Sequence, residues 1–469
     1  MSEDKSPLSG VLEPDSVAVV GASTTPLKIG NVIVWNLVNA FEGEIYPVNP
    51  RAKGEKIYGR EVYSSVSETP GDVDLACLVV PREVVPEALE DCGEKGVKGA
   101  IVAAAGFSDS GEEGKQLERE MLRLAKKYNI RIIGPNSQGI LNTRKKLDTA
   151  FAPHHDIIPG GVAIVSQTGT FIACAKYYSE LVGGVSHIID LANMCDVDFA
   201  DTLEYLGSDP QTRVIALHVE GVRDGRRFMR VASSVSKKKP IIVLKSGISE
   251  KGSQAIQSHT GSLAGRSEVN EAAFKQAGLI RVRDIDEWTD AAKGFNVLPP
   301  LKGNRVGILT FTGGFGALLV DACEEYGLEL AELSPETLSS VSEISPNWLN
   351  VQNPIDMFTA CQNIGIIEAY NRVLKSIAKD ENVDCLVLII PHFTGTIEPR
   401  DAFKNIETTK PIIVTGTTAA TDKAVIEWTK SAQELEKMGI AVYPTPRRDA
   451  RVLSALYNYY RKKSMAKTG

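Results

Sequence analysis

Three stretches of this 469-residue chain share one grammar: an apolar β-branched run, a turn of Gly, Ser and Thr, then a helical pattern. They read "SVAVVGASTTPLKIGNVIVWNLV" from Ser16, "GGVAIVSQTGTFIACAKYYSELVGG" from Gly160 and "NRVGILTFTGGFGALLVDACEEYG" from Asn304. A strand that runs straight into a helix needs a crossover before its next parallel neighbour, and each opening reads as the first βα unit of an open parallel α/β domain. Between the openings lie short runs rich in Val and Ile, such as "VDLACLVVP", "RVIALHVEG", "PIIVLKSG" and "VDCLVLIIP". Strands buried on both faces of a parallel sheet read this way. Helical stretches separate them, so doubly wound α/β domains with parallel sheets are expected. The openings lie about one domain length apart. The expected domains are 1–150, 151–298 and 299–469, with a diffuse first boundary in "RKKLDTAFAPHHDIIPGG" and a sharper second one in "NVLPPLKGNR". The tail "YNYYRKKSMAKTG" is expected to fray.

Several classes of function are disfavoured. The formal charge is −7, so bulk electrostatics do not favour nucleic acid. No run reaches the ~18 apolar residues of a membrane helix, and "MSEDKSPLSG" has no apolar signal region. The seven cysteines are scattered with no Cys-x-x-Cys pair, so neither a zinc site nor a disulfide frame is expected. The expectation is a cytoplasmic protein with no metal site of its own.

The first turn, "VVGASTTPLKIG", lacks the dinucleotide fingerprint spacing. At the end of the second strand, where an NAD site carries Asp or Glu, the chain has Asn49, Pro50 and Arg51, then Lys53. Cations there suit a phosphorylated ribose, as in CoA or, less easily, NADP. Gly21 permits the turn. Ser23, Thr24 and Lys28 could serve a pyrophosphate with the helix N-terminus after Gly30. A tight turn beside solvated cations would look the same.

The other two turns, Ser166-Gln167-Thr168-Gly169-Thr170 and Thr312-Gly313-Gly314, open helices with hydroxyls and glycines. Each offers unpaired N–H groups and a positive dipole end for an anion. Ordinary N-capping by Ser166 or Thr312 would need the same residue types.

"SHTGSLAG", Ser258 to Gly265, places His259 among small residues that build no core face. A mobile loop is expected, and imidazole is nucleophilic at neutral pH. Glu220 ends the strand "RVIALHVEG", where strand C-termini face the crevice; its carboxylate could hold one ring nitrogen while the other attacks. His154 and His155 read as linker residues, His187 and His218 as satisfied core groups, and His392 as a further candidate for substrate contact.

The ordered motifs "VVGAST", "YPVNP", "GPNSQG", "SQTGT", "SHTGSLAG", "TGGFG" and "NPIDM" cover essentially the whole chain. In this order they resemble the alpha subunits of archaeal ADP-forming (NDP-forming) acyl-CoA synthetases, acetyl-CoA synthetases in particular, in the succinyl-CoA synthetase superfamily. The resemblance implies a Rossmann-like CoA-binding domain followed by two flavodoxin-like ligase domains. It implies that His259 is transiently phosphorylated, that Glu220 stabilises it, and that the helix ends at Ser166–Thr170 and Thr312–Gly316 together cradle phosphate. By motif, CoA would meet Gly21, Ser23, Lys28, Asn49, Arg51, Val80, Pro81, Asn136 and Ser137, and Asn353 and Asp356 would line the site. No Walker-type motif is present. The resemblance therefore implies a separate ATP-grasp beta subunit carrying ADP or ATP with Mg, in an α2β2 assembly acting on acyl-CoA and phosphate. A non-catalytic CoA-sensing module and a succinyl-CoA-type ligase subunit are the alternatives. The first usually lacks the histidine; the second is shorter.

Overall fold

The computed structural model describes residues 6–260, 267–390, 398–416 and 422–468. The chain divides into two compact units, Met1–Trp288 and Thr289–Gly469.

The first unit begins with β1 (Ser16–Val20), β2 (Glu44–Val48), a short hairpin of β3 (Lys56–Ile57) and β4 (Arg60–Glu61), then β5 (Leu75–Leu78), β6 (Gly99–Val102) and β7 (Arg131–Ile133). The five longer strands form a parallel sheet in the order β2-β1-β5-β6-β7. Next come β8 (Ile140–Asn142), β9 (Leu147–Asp148), β10 (Pro159–Ser166), β11 (Val185–Asp190), β12 (Val214–Val219), β13 (Ile241–Lys245) and β14 (Ile280–Val282). They form a second sheet, β14-β13-β12-β10-β11-β8-β9. It is parallel except at β8, which is antiparallel to β11 and β9.

The second unit holds β15 (Arg305–Thr310), β16 (Glu329–Leu330), β17 (Ile355–Asp356), β18 (Cys385–Ile390), β19 (Ile412–Gly416) and β20 (Ile440–Tyr443). The order is β16-β15-β18-β19-β20, all parallel, with β17 paired to the end of β15.

One arrangement recurs. With the β8–β9 hairpin and the two-residue β17 set aside, each sheet winds in the order 2-1-3-4-5. The direction of winding reverses at the first strand, and such a switch point leaves a crevice outside the strand C-termini. The three switch points are β1/β5, β10/β12 and β15/β18. Each of the three sequence turns leaves the first strand of its sheet there.

The strands behave as their composition requires. Every residue of β5, β11, β12, β13 and β18 is buried. Within the first unit one apolar cluster runs from Leu8 and Val11 through Ile33 and Leu37 to Ile189 and Leu217, joining both sheets. Each such side chain is worth ~1.5–3 kcal/mol of burial.

Two expectations need correction. The tail is helical, as part of Pro446–Thr468. Tyr459 is buried in it, while Arg461, Lys462, Ser464 and Met465 are exposed. The segment before "SHTGSLAG" is also helical, over Glu250–Thr260. The Ser249 hydroxyl accepts the Gly252 N–H at 3.1 Å and caps its start, and Ala255, Ile256 and Gln257 are adequate helix formers. Residues 261–266 lie outside the described residues.

Gly21 shows why the first turn tolerates no side chain. Its φ is +89°, and a Cβ would collide with the Val79 carbonyl oxygen. Gly21→Ala should cost at least ~1–3 kcal/mol of stability from backbone strain alone. Chemical denaturation measures it; an unchanged midpoint would contradict this geometry.

Candidate functional site

At the β1/β5 switch point, Gly21 donates its N–H to the Val48 carbonyl at 2.9 Å. The turn then runs outward, with Lys28 exposed as the N-cap of the helix Ile29–Ala40. Gly30 therefore lies inside the first turn of that helix, not before it. The Ser23 hydroxyl accepts the Thr25 N–H at 3.1 Å, and Asn31 Nδ2 donates to the Ser23 carbonyl at 2.8 Å. Arg51 is exposed at the end of β2, whereas Lys53 is paired with Glu68 at 2.9 Å. Val80 is half-buried and Pro81 exposed just past β5. Gly21 is thus closed to a side chain, and Lys28 and Arg51 are exposed in the turns that follow β1 and β2.

Two side chains and one backbone N–H near this crevice bond within the fold. Asn49 Nδ2 donates to the Ala22 carbonyl at 2.8 Å, and its Oδ1 accepts the Arg51 N–H at 3.0 Å. Asn136 sits at φ +66° with its N–H on the Ala104 carbonyl at 2.9 Å. Ser137 is fully buried, and its hydroxyl donates to the Asp190 carbonyl at 2.6 Å. The turn 134–139 thus fastens the end of β7 to the end of β11.

At the β10/β12 switch point, Ser166 is buried and its hydroxyl donates to the Thr168 carbonyl at 2.9 Å. Gln167 is 3% exposed; its Oε1 accepts the N–H groups of Glu220 at 2.7 Å and Gly221 at 2.9 Å. Gln167 is therefore a clasp between two strand ends as well as part of the turn. Thr168 is half-buried and Thr170 exposed, their hydroxyls 3.3 Å apart. The helix that follows is shorter than its sequence suggests. It covers Thr170–Ala173, breaks at Cys174 and resumes over Ala175–Leu181. So short a helix has little dipole. A Cβ on Gly169 would collide with the Gln138 side chain, which lies across the turn.

Glu220, just past β12, is 6% exposed, and Lys245 Nζ donates to its carbonyl at 2.9 Å. Lys245 is itself buried, which lowers its pKa, while the nearby Glu220 charge acts the other way. The backbone of His259 lies in the last turn of Glu250–Thr260, and its side chain lies outside the described residues. So does His392.

In the second unit, Thr312 is the N-cap of the 13-residue helix Gly313–Glu325, with no side-chain capping bond. Its N–H instead goes to Thr310 Oγ1 at 3.2 Å. Gly313 and Gly314 are exposed, and a Cβ on either would meet nothing within 4 Å. Asn353 is spent on the sheet: its amide holds Ile308, Val306 and Ala331 at 2.8–3.0 Å. Asp356 accepts the Phe358 N–H at 2.9 Å.

The other histidines differ in part from expectation. His154 is half-buried overall, with its ring covered and 2.8 Å from Asp148. His218 meets Ser246 at 2.7 Å and His187 meets Ser186 at 3.2 Å, while the second nitrogen of each has no partner among the described residues. Burial is the main cause that lowers both pKa values.

Two side chains of the crevice went unread in the sequence. Gln138, inside "GPNSQG", covers Gly169. Asp190, the last residue of β11, is fully buried; it is the acid that ends an apolar strand, the same signal that singled out Glu220. Among the described residues no group of three or more His, Cys, Asp or Glu could hold a metal. No helix among them is long and apolar enough to cross a membrane.

Three family models match successive stretches of the chain. A CoA binding domain model matches residues 15–143, a succinyl-CoA ligase like flavodoxin domain 159–295, and a ligase-CoA domain 306–466. The chain is 42% identical to acetate–CoA ligase [ADP-forming] II subunit alpha of Pyrococcus furiosus, covering 92% of this chain and 93% of that one. It is 39% identical to the subunit alpha of ligase I from the same organism, covering 98% and 99%. Among solved structures it resembles the Ca. Korarchaeum cryptofilum dinucleotide forming acetyl-coenzyme A synthetase 1 in complex with phosphate and ADP. That match has a TM-score of 0.87 and 34% identity, over 98% of each chain. A Rossmann-like CoA-binding domain followed by succinyl-CoA ligase-like flavodoxin domains is the observed architecture, and the chain belongs to the family of ADP-forming acetate–CoA ligase alpha subunits.

Proposed function

We propose that this chain is the catalytic alpha subunit of an ADP-forming acyl-CoA synthetase, working on acetyl-CoA or a close relative. It acts with an ATP-grasp beta subunit that carries ADP and Mg, in an α2β2 assembly. The reaction is acyl-CoA, ADP and phosphate to acid, CoA and ATP. The observation that carries the reading is the Gln167 clasp. It ties the backbone at Glu220 and Gly221 to the turn that leads into Thr168–Thr170, which supports an acid and an anion-holding turn acting at one switch point.

The roles divide by segment, with residues 1–150 for CoA, 151–298 for phosphoryl chemistry and 299–469 as a second ligase-like domain. Gly21, Ser23, Lys28 and Arg51 hold the nucleotide end of CoA, with Asn49, Val80, Pro81, Asn136 and Ser137 shaping its crevice. The N–H groups from Gln167 to Thr170 and the hydroxyls of Thr168 and Thr170 hold phosphate. Thr312, Gly313 and Gly314 form a second anion-holding turn. Phosphate attacks the thioester carbonyl, the C–S bond breaks and acyl phosphate forms. His259 then takes the phosphoryl group, releasing the acid, and passes it to ADP. Glu220 accepts the N–H of the ring nitrogen that does not attack and steadies the cation that forms. In-line positioning and charge neutralisation supply most of such catalysis.

The test is to incubate the purified chain with acetyl-CoA and labelled inorganic phosphate. Label should become bound to the chain in an acid-labile, base-stable form and leave on addition of the partner with ADP. No bound label at any acyl-CoA concentration would overturn the reading.

A further inference from the structure

The turn 134–139 joins the two sheets of the first unit, and most of its polar groups are used in doing so. The N–H groups of Asn136 and Ser137 reach the carbonyls of Ala104 and Val102, at the β6 end of the first sheet, at 2.9 and 3.2 Å. The carbonyls of Gly134 and Pro135 accept the N–H groups of Cys195 and Asn193, just past β11, at 2.9 and 3.2 Å. The Ser137 hydroxyl goes to the Asp190 carbonyl at 2.6 Å, and the Gln138 N–H to Asp190 Oδ2 at 2.7 Å. A backbone held at so many points fixes where the Gln138 side chain starts. That side chain is half-buried and makes no hydrogen bond among the described residues.

The Gln138 amide lies on the phosphate turn. Its Cδ and Nε2 are 2.2 and 2.3 Å from the point where a Cβ on Gly169 would stand. Any side chain at 169 would push the amide away, so the glycine keeps room for it. The turn holds a second amide with an open donor. Gln167 Oε1 accepts the N–H groups of Glu220 and Gly221, and its Nε2 is buried with no partner among the described residues. A buried donor without an acceptor marks a place for a water or an ion, and phosphate on the turn would satisfy it. Gln138 then stands over the same turn, ready for the other reactant.

We propose that Gln138 is a catalytic residue whose side-chain amide donates to the thioester carbonyl oxygen while phosphate attacks. This rests on the reading of the phosphate turn and the CoA crevice given above. When an oxygen of phosphate bonds to the carbonyl carbon, the carbonyl π pair moves onto oxygen. Its return breaks the C–S bond, and the proton of the attacking oxygen ends on the departing sulfur. Charge gathers on the carbonyl oxygen only in between, so a donor already in place acts mainly on the transition state. A neutral amide suits the task, because it does not compete for phosphate as a lysine or arginine would. The position suits it too. The turn 134–139 follows β7 in the sheet of the candidate CoA crevice and is bonded to the sheet of the phosphate turn.

The experiment compares two ways of phosphorylating the purified chain. One supplies acetyl-CoA with labelled inorganic phosphate. The other supplies labelled acetyl phosphate, which enters after the thioester step. Gln138→Leu and Gln138→Met both keep a cover over Gly169 and remove the donor. Initial labelling from acetyl-CoA should slow about 10²-fold, while labelling from acetyl phosphate stays within about twofold of wild type. The result is read as the ratio of the two rates on one preparation, so a general loss of fold cancels. Equal slowing of both routes, or of neither, overturns the role of Gln138 alone. No label on wild type from acetyl-CoA overturns the functional reading and this proposal with it.

Discussion

Replacing His259 with alanine should abolish chain-bound phosphate and lower turnover with the partner subunit by at least ~10³-fold. Water cannot replace the imidazole, because the step needs a nucleophile that takes a phosphoryl group at one place and yields it at another. CoA binding should be unchanged, since the candidate CoA crevice lies at the β1/β5 switch point on other elements. The readouts are acid-labile label, ATP formation and a CoA titration, all on the same preparation. A variant that turns over near the wild-type rate would end the shuttle mechanism. A variant that also loses CoA would point instead to a general loss of fold.

The second large effect is expected at Glu220. Glu220→Gln keeps the shape and the backbone N–H groups that Gln167 clasps, so the melting temperature should stay within a few degrees of wild type. The amide carries no charge to steady a protonated ring. We expect chain-bound phosphate to form ~10²–10³-fold more slowly, in the range lost when an electrostatic partner at a reacting centre is removed. Formation of acyl phosphate and release of CoA, followed separately, should slow far less, because Glu220 is assigned to the histidine step. Equal losses in both steps would place Glu220 in the phosphate site instead. Unchanged labelling would remove it from the mechanism.

The sheets were legible because parallel strands buried on both faces have no alternative composition. Every residue of "VIALHV" and "CLVLII" is buried, and both were readable as strands. The turns were legible where glycine has a backbone reason, as at Gly21. Residues whose side chains work through the backbone were harder. Asn49 and Ser137 read as ligand contacts by motif, and in the fold they tie turns together. Nothing in a linear sequence shows that a polar side chain is already spoken for. Asp190 shows the reverse case. Its signal, an acid closing an apolar run, was present in the sequence and went unread, and the fold leaves that acid fully buried. The helix Glu250–Thr260 was hidden by serines and glycines that suggest a loop, although Ser249 supplies an ordinary start signal.

The antiparallel β8–β9 hairpin bears on anyone who wishes to dissect this polypeptide. Its residues precede position 150, yet β8 zips along β11 of the following sheet. A fragment excised to begin after the hairpin would leave β11 as a raw margin of unpaired amides and carbonyls, inviting another copy to stick there. Gene splits and limited proteolysis are better aimed upstream of β8, even though the stretch around "APHHD" looks the easier place to cut.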